Sequence, residues 1–99
     1  MTKLLIHEQA GVREFEVVDE ELRIGRELDN MLRLNDPSVS RHHAVLRRTP
    51  EGYVIQDKNS SNGLYVNDEK VEEKALKDGD KITLGQLQLT FQNPASGGA

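Results

Sequence analysis

KLLIHEQAGVREFEVVDEELRIG, residues 3–25, reads as three short strands and not as one helix. Its Leu, Ile and Val residues fall in runs at 3–7, 12–18 and 21–25, broken by Gln9-Ala10-Gly11 and by Asp19-Glu20. In the second run Arg13, Phe15 and Val17 alternate with Glu14, Glu16 and Val18, which predicts Phe15 and Val17 packed inward. Working outward, similar runs recur at 32–34, 43–49, 53–57, 64–66, 81–84 and 87–92. The breaks between them have turn chemistry: Pro50-Glu51-Gly52, Asn62-Gly63, Asn67-Asp68-Glu69-Lys70, Lys77-Asp78-Gly79-Asp80 and Gly85-Gln86. Residues 71–77 are the one helix-like stretch; they are too few to form a helix alone and read as a strand and turn. The expectation is an all-β fold, an antiparallel β-sandwich of about eleven short strands. One domain is expected over residues 1–93, with 94–99 a flexible tail or the start of a linker.

Composition narrows the chemistry. The 99 residues include no Cys and no Trp, so neither a disulfide framework nor a cysteine-based zinc site is available, and packing must supply stability. No apolar run approaches the length of a membrane span, and the first residues are too polar for a signal peptide, so a soluble, cytoplasmic protein is expected. The net charge of -4 argues against a dedicated nucleic-acid binder. Its distribution says more than its sum. Between Arg23 and Arg48 stand six arginines (23, 26, 33, 41, 47, 48) against Glu27, Asp29 and Asp36, a local +3 that leaves -7 for the remainder.

Three polar clusters fall inside or beside this basic island, each next to a strand-like run. Arg26 follows the strand end at Gly25, and its planar fork can hold two phosphate oxygens at once. Ser40 sits in a Pro-Ser-Val-Ser loop, where its hydroxyl and backbone N–H can point at an anion; Arg41 beside it adds a second positive charge. Asn62 precedes a glycine, Gly63, that can take positive φ, and its amide can present donor and acceptor to an extended ligand; Asn-Gly is also simply a good turn. His42 and His43 invite a metal reading, but neighbours on a strand point to opposite faces and chelate one ion poorly, so no metal is expected.

Gly25-Arg26, then Ser40-Arg41-His42-His43, then Asp57 to Gly63 ahead of Val66-Asn67 together resemble the motifs of the forkhead-associated (FHA) domain, in that family's order. The resemblance covers residues 4–91 and implies a β-sandwich that recognises phosphothreonine in peptides, with the site on the loops at one end. It implies phosphopeptide contacts from Arg26, Ser40, Arg41, Ser61 and Asn62, with Gly25, His43, Asp57, Ser60 and Gly63 supporting the site. His43 becomes a buried brace for the Ser40 loop, and His42 faces solvent or ligand. Ser38, Val39, His42 and Leu64 are the candidates for setting preference around the phosphothreonine. Two positions depart from the family pattern. Asn59 stands where glycine is common, and Asn tolerates the left-handed conformation next best. Leu64 stands where threonine is usual, which removes a hydroxyl. Preference for phosphothreonine over phosphoserine follows from a pocket for the extra methyl, worth about 0.8 kcal/mol or roughly fourfold.

Other classes fit less well. There is no G-x-S-x-G elbow, no P-loop and no paired-carboxylate arrangement, so an enzyme is not expected. Nucleic-acid stacking needs aromatics near the arginines, and Phe15, Tyr53, Tyr65 and Phe91 fall mostly at core-like positions. The alternative is a phosphate-independent interaction or oligomerisation module on the same fold. The expected partner is a phosphothreonine-containing protein, the substrate of a Ser/Thr kinase, with no cofactor, nucleic acid or membrane involved.

Overall fold

The computed structural model describes residues 2–8 and 10–93, which form eleven strands and no helix. The expected tail at 94–99 lies outside the described residues. β1 (Lys3–Glu8), β2 (Gly11–Glu16), β7 (Leu64–Val66), β8 (Glu69–Val71), β10 (Lys81–Leu84) and β11 (Leu87–Gln92) make one sheet, in the order β2-β1-β11-β10-β7-β8. β3 (Glu21–Gly25), β4 (Leu32–Arg33), β5 (Ala44–Thr49), β6 (Gly52–Asp57) and β9 (Glu73–Leu76) make the other, in the order β4-β3-β5-β6-β9. Pairing is antiparallel apart from the short β3–β4 contact, which runs parallel through Ile24↔Leu32 and Gly25↔Arg33. None of the described residues lies in a helix long and apolar enough to cross a membrane.

The sheets meet through the alternating positions of their strands. Leu4 and Ile6, Leu22 and Ile24, Ala44 and Leu46, Ile82 and Leu84, and Leu89 and Phe91 all face one shared core. Tyr53 of β6 meets Phe91 of β11 edge-on, with centroids 5.6 Å apart, and so joins the two layers by an aromatic contact. Val17 is buried and Phe15 packs against the core, as their alternation predicts, although Val17 lies just past the end of β2.

The 71–77 stretch resolves into a change of sheet. Val71 ends β8, Glu72 intervenes, and Glu73 begins β9 on the opposite layer, where it pairs with Gln56. The preceding hairpin turns on Asn67 and Asp68 alone, both at positive φ (52° and 70°), so the expected four-residue turn shortens to two and Glu69 and Lys70 join β8. Two left-handed residues match the right-handed twist of the flanking strands.

A candidate phosphopeptide site on three fastened loops

Three connections gather at one end of the sandwich: residues 26–31 between β3 and β4, 34–43 between β4 and β5, and 58–63 between β6 and β7. The first two are joined through backbone. Arg26 N–H donates to Ser40 C=O (3.0 Å) and Glu27 N–H to Arg41 C=O (3.2 Å), carrying backbone contact past the end of the β3–β5 pairing. This close approach is why residue 25 is glycine: a Cβ there would collide with the Arg41 carbonyl oxygen and the Asn30 amide.

The third connection is fastened to the second by three residues in succession. Ser61 N–H donates to Ser40 Oγ (2.9 Å), Asn62 Nδ2 to Ser38 C=O (2.7 Å), and His43 Nε2 to Gly63 C=O (2.8 Å). Gly63 takes the φ of 83° that its place in the Asn-Gly pair predicts, and Asn59 takes 61°, as its substitution for glycine requires. Asp57 Oδ1 accepts from both Ser60 Oγ (2.6 Å) and Ser60 N–H (3.4 Å), closing the start of the loop.

His43 is fully buried between these segments. Its Nδ1 accepts from Ser40 N–H at 3.1 Å, and the Gly63 carbonyl can only accept, so the ring is the neutral tautomer with its proton on Nε2. This arrangement directs the Ser40 N–H inward, away from any ligand, and leaves the hydroxyl as the group that residue presents. Ser40 Oγ accepts from Ser61, so its own proton is available to an external acceptor.

Arg26 is exposed. Its Nε donates to Val39 C=O (3.0 Å), which orients the guanidinium, while its two terminal nitrogens have no hydrogen bond or ion pair among the described residues. Arg41 is exposed with its guanidinium likewise unpaired among the described residues. His42 Nε2 lies 3.0 Å from Asp29 Oδ1, and the hydrogen bond, with smaller charge contributions from His42 and Arg23, holds the Asp29 carboxyl below its ordinary range. The Ser61 hydroxyl and the Asn62 amide oxygen stand exposed on the same rim.

Two residues expected to influence ligand preference point elsewhere. Val39 is 1% exposed and Leu64 fully buried, both within the core cluster, so neither side chain presents a surface to a peptide. The reason is parity: Leu64 begins β7 on the inward phase shared with Val66, and Val39 packs under a loop whose polar neighbours turn outward. Ser38 is a junction. Its hydroxyl donates to Asp36 (2.5 Å) and accepts from Gln86 N–H (2.7 Å), while its carbonyl takes Asn62.

Asn30, Arg33 and Asp36 were not singled out in the sequence. Asn30, 6% exposed, donates to Glu27 C=O (3.0 Å) and Arg41 C=O (2.7 Å), fixing the first loop. Arg33 Nε holds the Arg26 carbonyl (3.0 Å). Asp36 accepts from Ser38 Oγ and N–H, which holds its carboxyl below the usual range, the side-chain bond contributing most. Only Asp36 carried a signal, the Asp-Pro-Ser turn in which an Asp side chain bonds backbone two residues on.

Comparison with known proteins bears on the family and the fold. The family model of the FHA domain matches residues 22–85. The transcriptional regulatory protein EmbR of Mycobacterium tuberculosis is 41% identical over 88 residues, covering 88% of this chain and 23% of EmbR. Its structure in complex with a low affinity phosphopeptide superposes with a TM-score of 0.82 and 40% identity, over 91% of this chain and 24% of that one. The ATP-binding/permease protein Rv1747 of the same organism is 44% identical over 70 residues, 71% of this chain and 8% of its own length. A structure from a study of phosphothreonine-dependent FHA domain interactions superposes with a TM-score of 0.86 at 34% identity, over 93% of this chain and 95% of that one. The chain thus spans less than a quarter of the length of these two curated relatives.

Proposed function

The chain belongs to the FHA domain family, and on that premise we propose that it is a phosphothreonine-dependent protein interaction module that binds phosphorylated segments of partner proteins and catalyses nothing. One observation carries this reading: the free terminal nitrogens of Arg26 and the free hydroxyl proton of Ser40 share a rim whose backbone is already tied at Ser61. A phosphate monoester carries a charge near -2 and three acceptor oxygens, which is what a guanidinium fork and a hydroxyl donor complement. Arg41 and the Ser61 hydroxyl stand beside them as further donors, and Asn62 offers its amide oxygen to the backbone of an extended peptide. In this role Gly25, His43, Asp57, Ser60 and Gly63 hold the loops in place without touching ligand. Binding would be switched on by a Ser/Thr kinase and off by a phosphatase, with affinity on the order of micromolar for a short peptide, about -8 kcal/mol.

The test is retention of the protein on phosphothreonine, phosphoserine and unphosphorylated peptide libraries, with Arg26→Ala and Ser40→Ala in parallel. Loss of charge-assisted hydrogen bonds of about 1.5 to 3 kcal/mol each should lower affinity roughly 10- to 150-fold per substitution. Retention that ignores phosphate and both substitutions would overturn the reading in favour of a phosphate-independent module on the same fold.

A further inference from the structure

The basic island of the sequence is not confined to the rim. In β3, β4 and β5 the side chains of Leu22, Ile24, Leu32, Ala44 and Leu46 face the core. By alternation Glu21, Arg23, Arg33, Val45 and Arg47 occupy the outer face of the same sheet. The register orders them. Arg33 lies opposite Gly25, Arg23 opposite Val45, and Arg47 opposite Glu21. Three arginines therefore descend the outer face in successive rows spaced about 7 Å, reaching about 14 Å from the rim.

The stripe is continuous with the candidate phosphate site, because Arg33 Nε donates to the carbonyl of Arg26 itself. It is also only partly neutralised. Glu21 pairs with Arg47 at 3.6 Å, Glu73 of β9 stands at the far end of the Arg23 row, and Asp29, bonded to His42, feels the charge of Arg23; yet Arg23 and Arg33 have no ion pair among the described residues. A protein of net charge -4 thus keeps a net positive track, three arginines with one ion pair among them, leading away from one end.

We propose that this outer face of β3, β4 and β5 is a second contact surface, one that receives an acidic stretch of the same ligand beside its phosphothreonine. The inference rests on the phosphopeptide reading and adds the sequence class of the ligand: phosphorylation sites embedded in acidic segments. Charge complementarity selects an acidic peptide. Nucleic acid is disfavoured because the aromatics that would stack bases are elsewhere, Tyr53 and Phe91 in the core and Phe15 and Tyr65 on the opposite sheet. Individually, exposed pairs are weak; tethered by the phosphothreonine, several act at high local concentration and together discriminate among ligands.

The test measures anisotropy of three labelled phosphothreonine peptides: one with glutamates on the N-terminal side, one with glutamates on the C-terminal side, and one with glutamines on both. One acidic peptide should bind about 3- to 20-fold more tightly than the glutamine peptide at about 50 mM salt, with most of the advantage gone at about 300 mM. The double variant Arg23→Gln/Arg47→Gln should erase the advantage and leave the glutamine peptide unchanged, whereas Glu21→Gln should enlarge it. Equal binding of all three peptides overturns the second surface while leaving the phosphopeptide reading standing. Failure of every phosphopeptide to bind sinks both. A short DNA duplex that binds through Arg23 and Arg47 as tightly as the acidic peptide would assign the stripe to nucleic acid and overturn the proposal as well.

Discussion

Ser40 and His43, three residues apart, orient each other: the Ser40 N–H donates to His43 Nδ1 while the ring's far nitrogen reaches the Gly63 carbonyl. One buried imidazole thus sets the pose of the serine and the height of the facing loop. It is a brace between two segments 20 residues apart in sequence.

Replacing His43 with alanine leaves both partners unpaired in a place closed to water. The expected loss is about 2 to 4 kcal/mol, combining unsatisfied polar groups with a cavity. Urea denaturation should show this as a lower midpoint at unchanged slope, and a midpoint near wild type would mean water or a neighbour replaces the ring.

Leu64→Thr restores the residue usual in the family and should still harm this protein. The side chain is fully buried, so a hydroxyl there lacks a partner and the change costs about 1 to 3 kcal/mol. Phosphopeptide affinity of the folded variant should stay within about twofold of wild type. A marked rise in affinity would show that the threonine hydroxyl reaches the ligand after all.

Asp36 makes stability depend on acid. Its native carboxyl titrates below 3.8, because the hydrogen bonds from Ser38 favour the carboxylate. That stabilisation is complete above the unfolded value and is lost as pH falls through the lower native value. Asp36→Asn should melt a few degrees below wild type near pH 7, solvent screening keeping the gap small, and the two should converge as pH falls below the native value of the Asp36 carboxyl. A gap that persists in acid would assign the effect to packing.

Arg26→Lys separates charge from geometry. Lysine keeps the positive charge but loses the planar fork and the Nε bond to Val39 that aims it. Phosphopeptide affinity should fall about tenfold, against roughly a hundredfold for alanine. Equal binding by the lysine variant would reduce the role of Arg26 to that of a point charge.

Where alternation and turn chemistry agree, strands are legible to the residue: 21–25, 64–66, 81–84 and 87–92 have the bounds their apolar period predicts. β8 and β9 are different. Glu69–Val71 and Glu73–Leu76 are polar edge strands, formed because neighbours offer pairing and not because their own pattern demands it, and sequence periodicity is blind to that. The candidate site divides similarly. Arg26, Ser40, Ser61 and Asn62 are brought to one rim, and their motifs announce them. Asn30 and Arg33 act on backbone carbonyls of residues distant in sequence, a partnership that leaves no trace in residue order. Val39 and Leu64 show the opposite failure, since adjacency to a motif says nothing about which way a side chain turns.

The triple fastening of Ser61, Asn62 and Gly63 to the neighbouring loop exists before any ligand arrives. A receptor whose shape is already set has no conformational step to trade against occupancy. Its bound fraction would follow the supply of phosphorylated partner along a plain hyperbola, without a threshold. Any sharpness in the downstream response would then have to originate outside the domain, in the contest between kinase and phosphatase or in repeated sites on the partner.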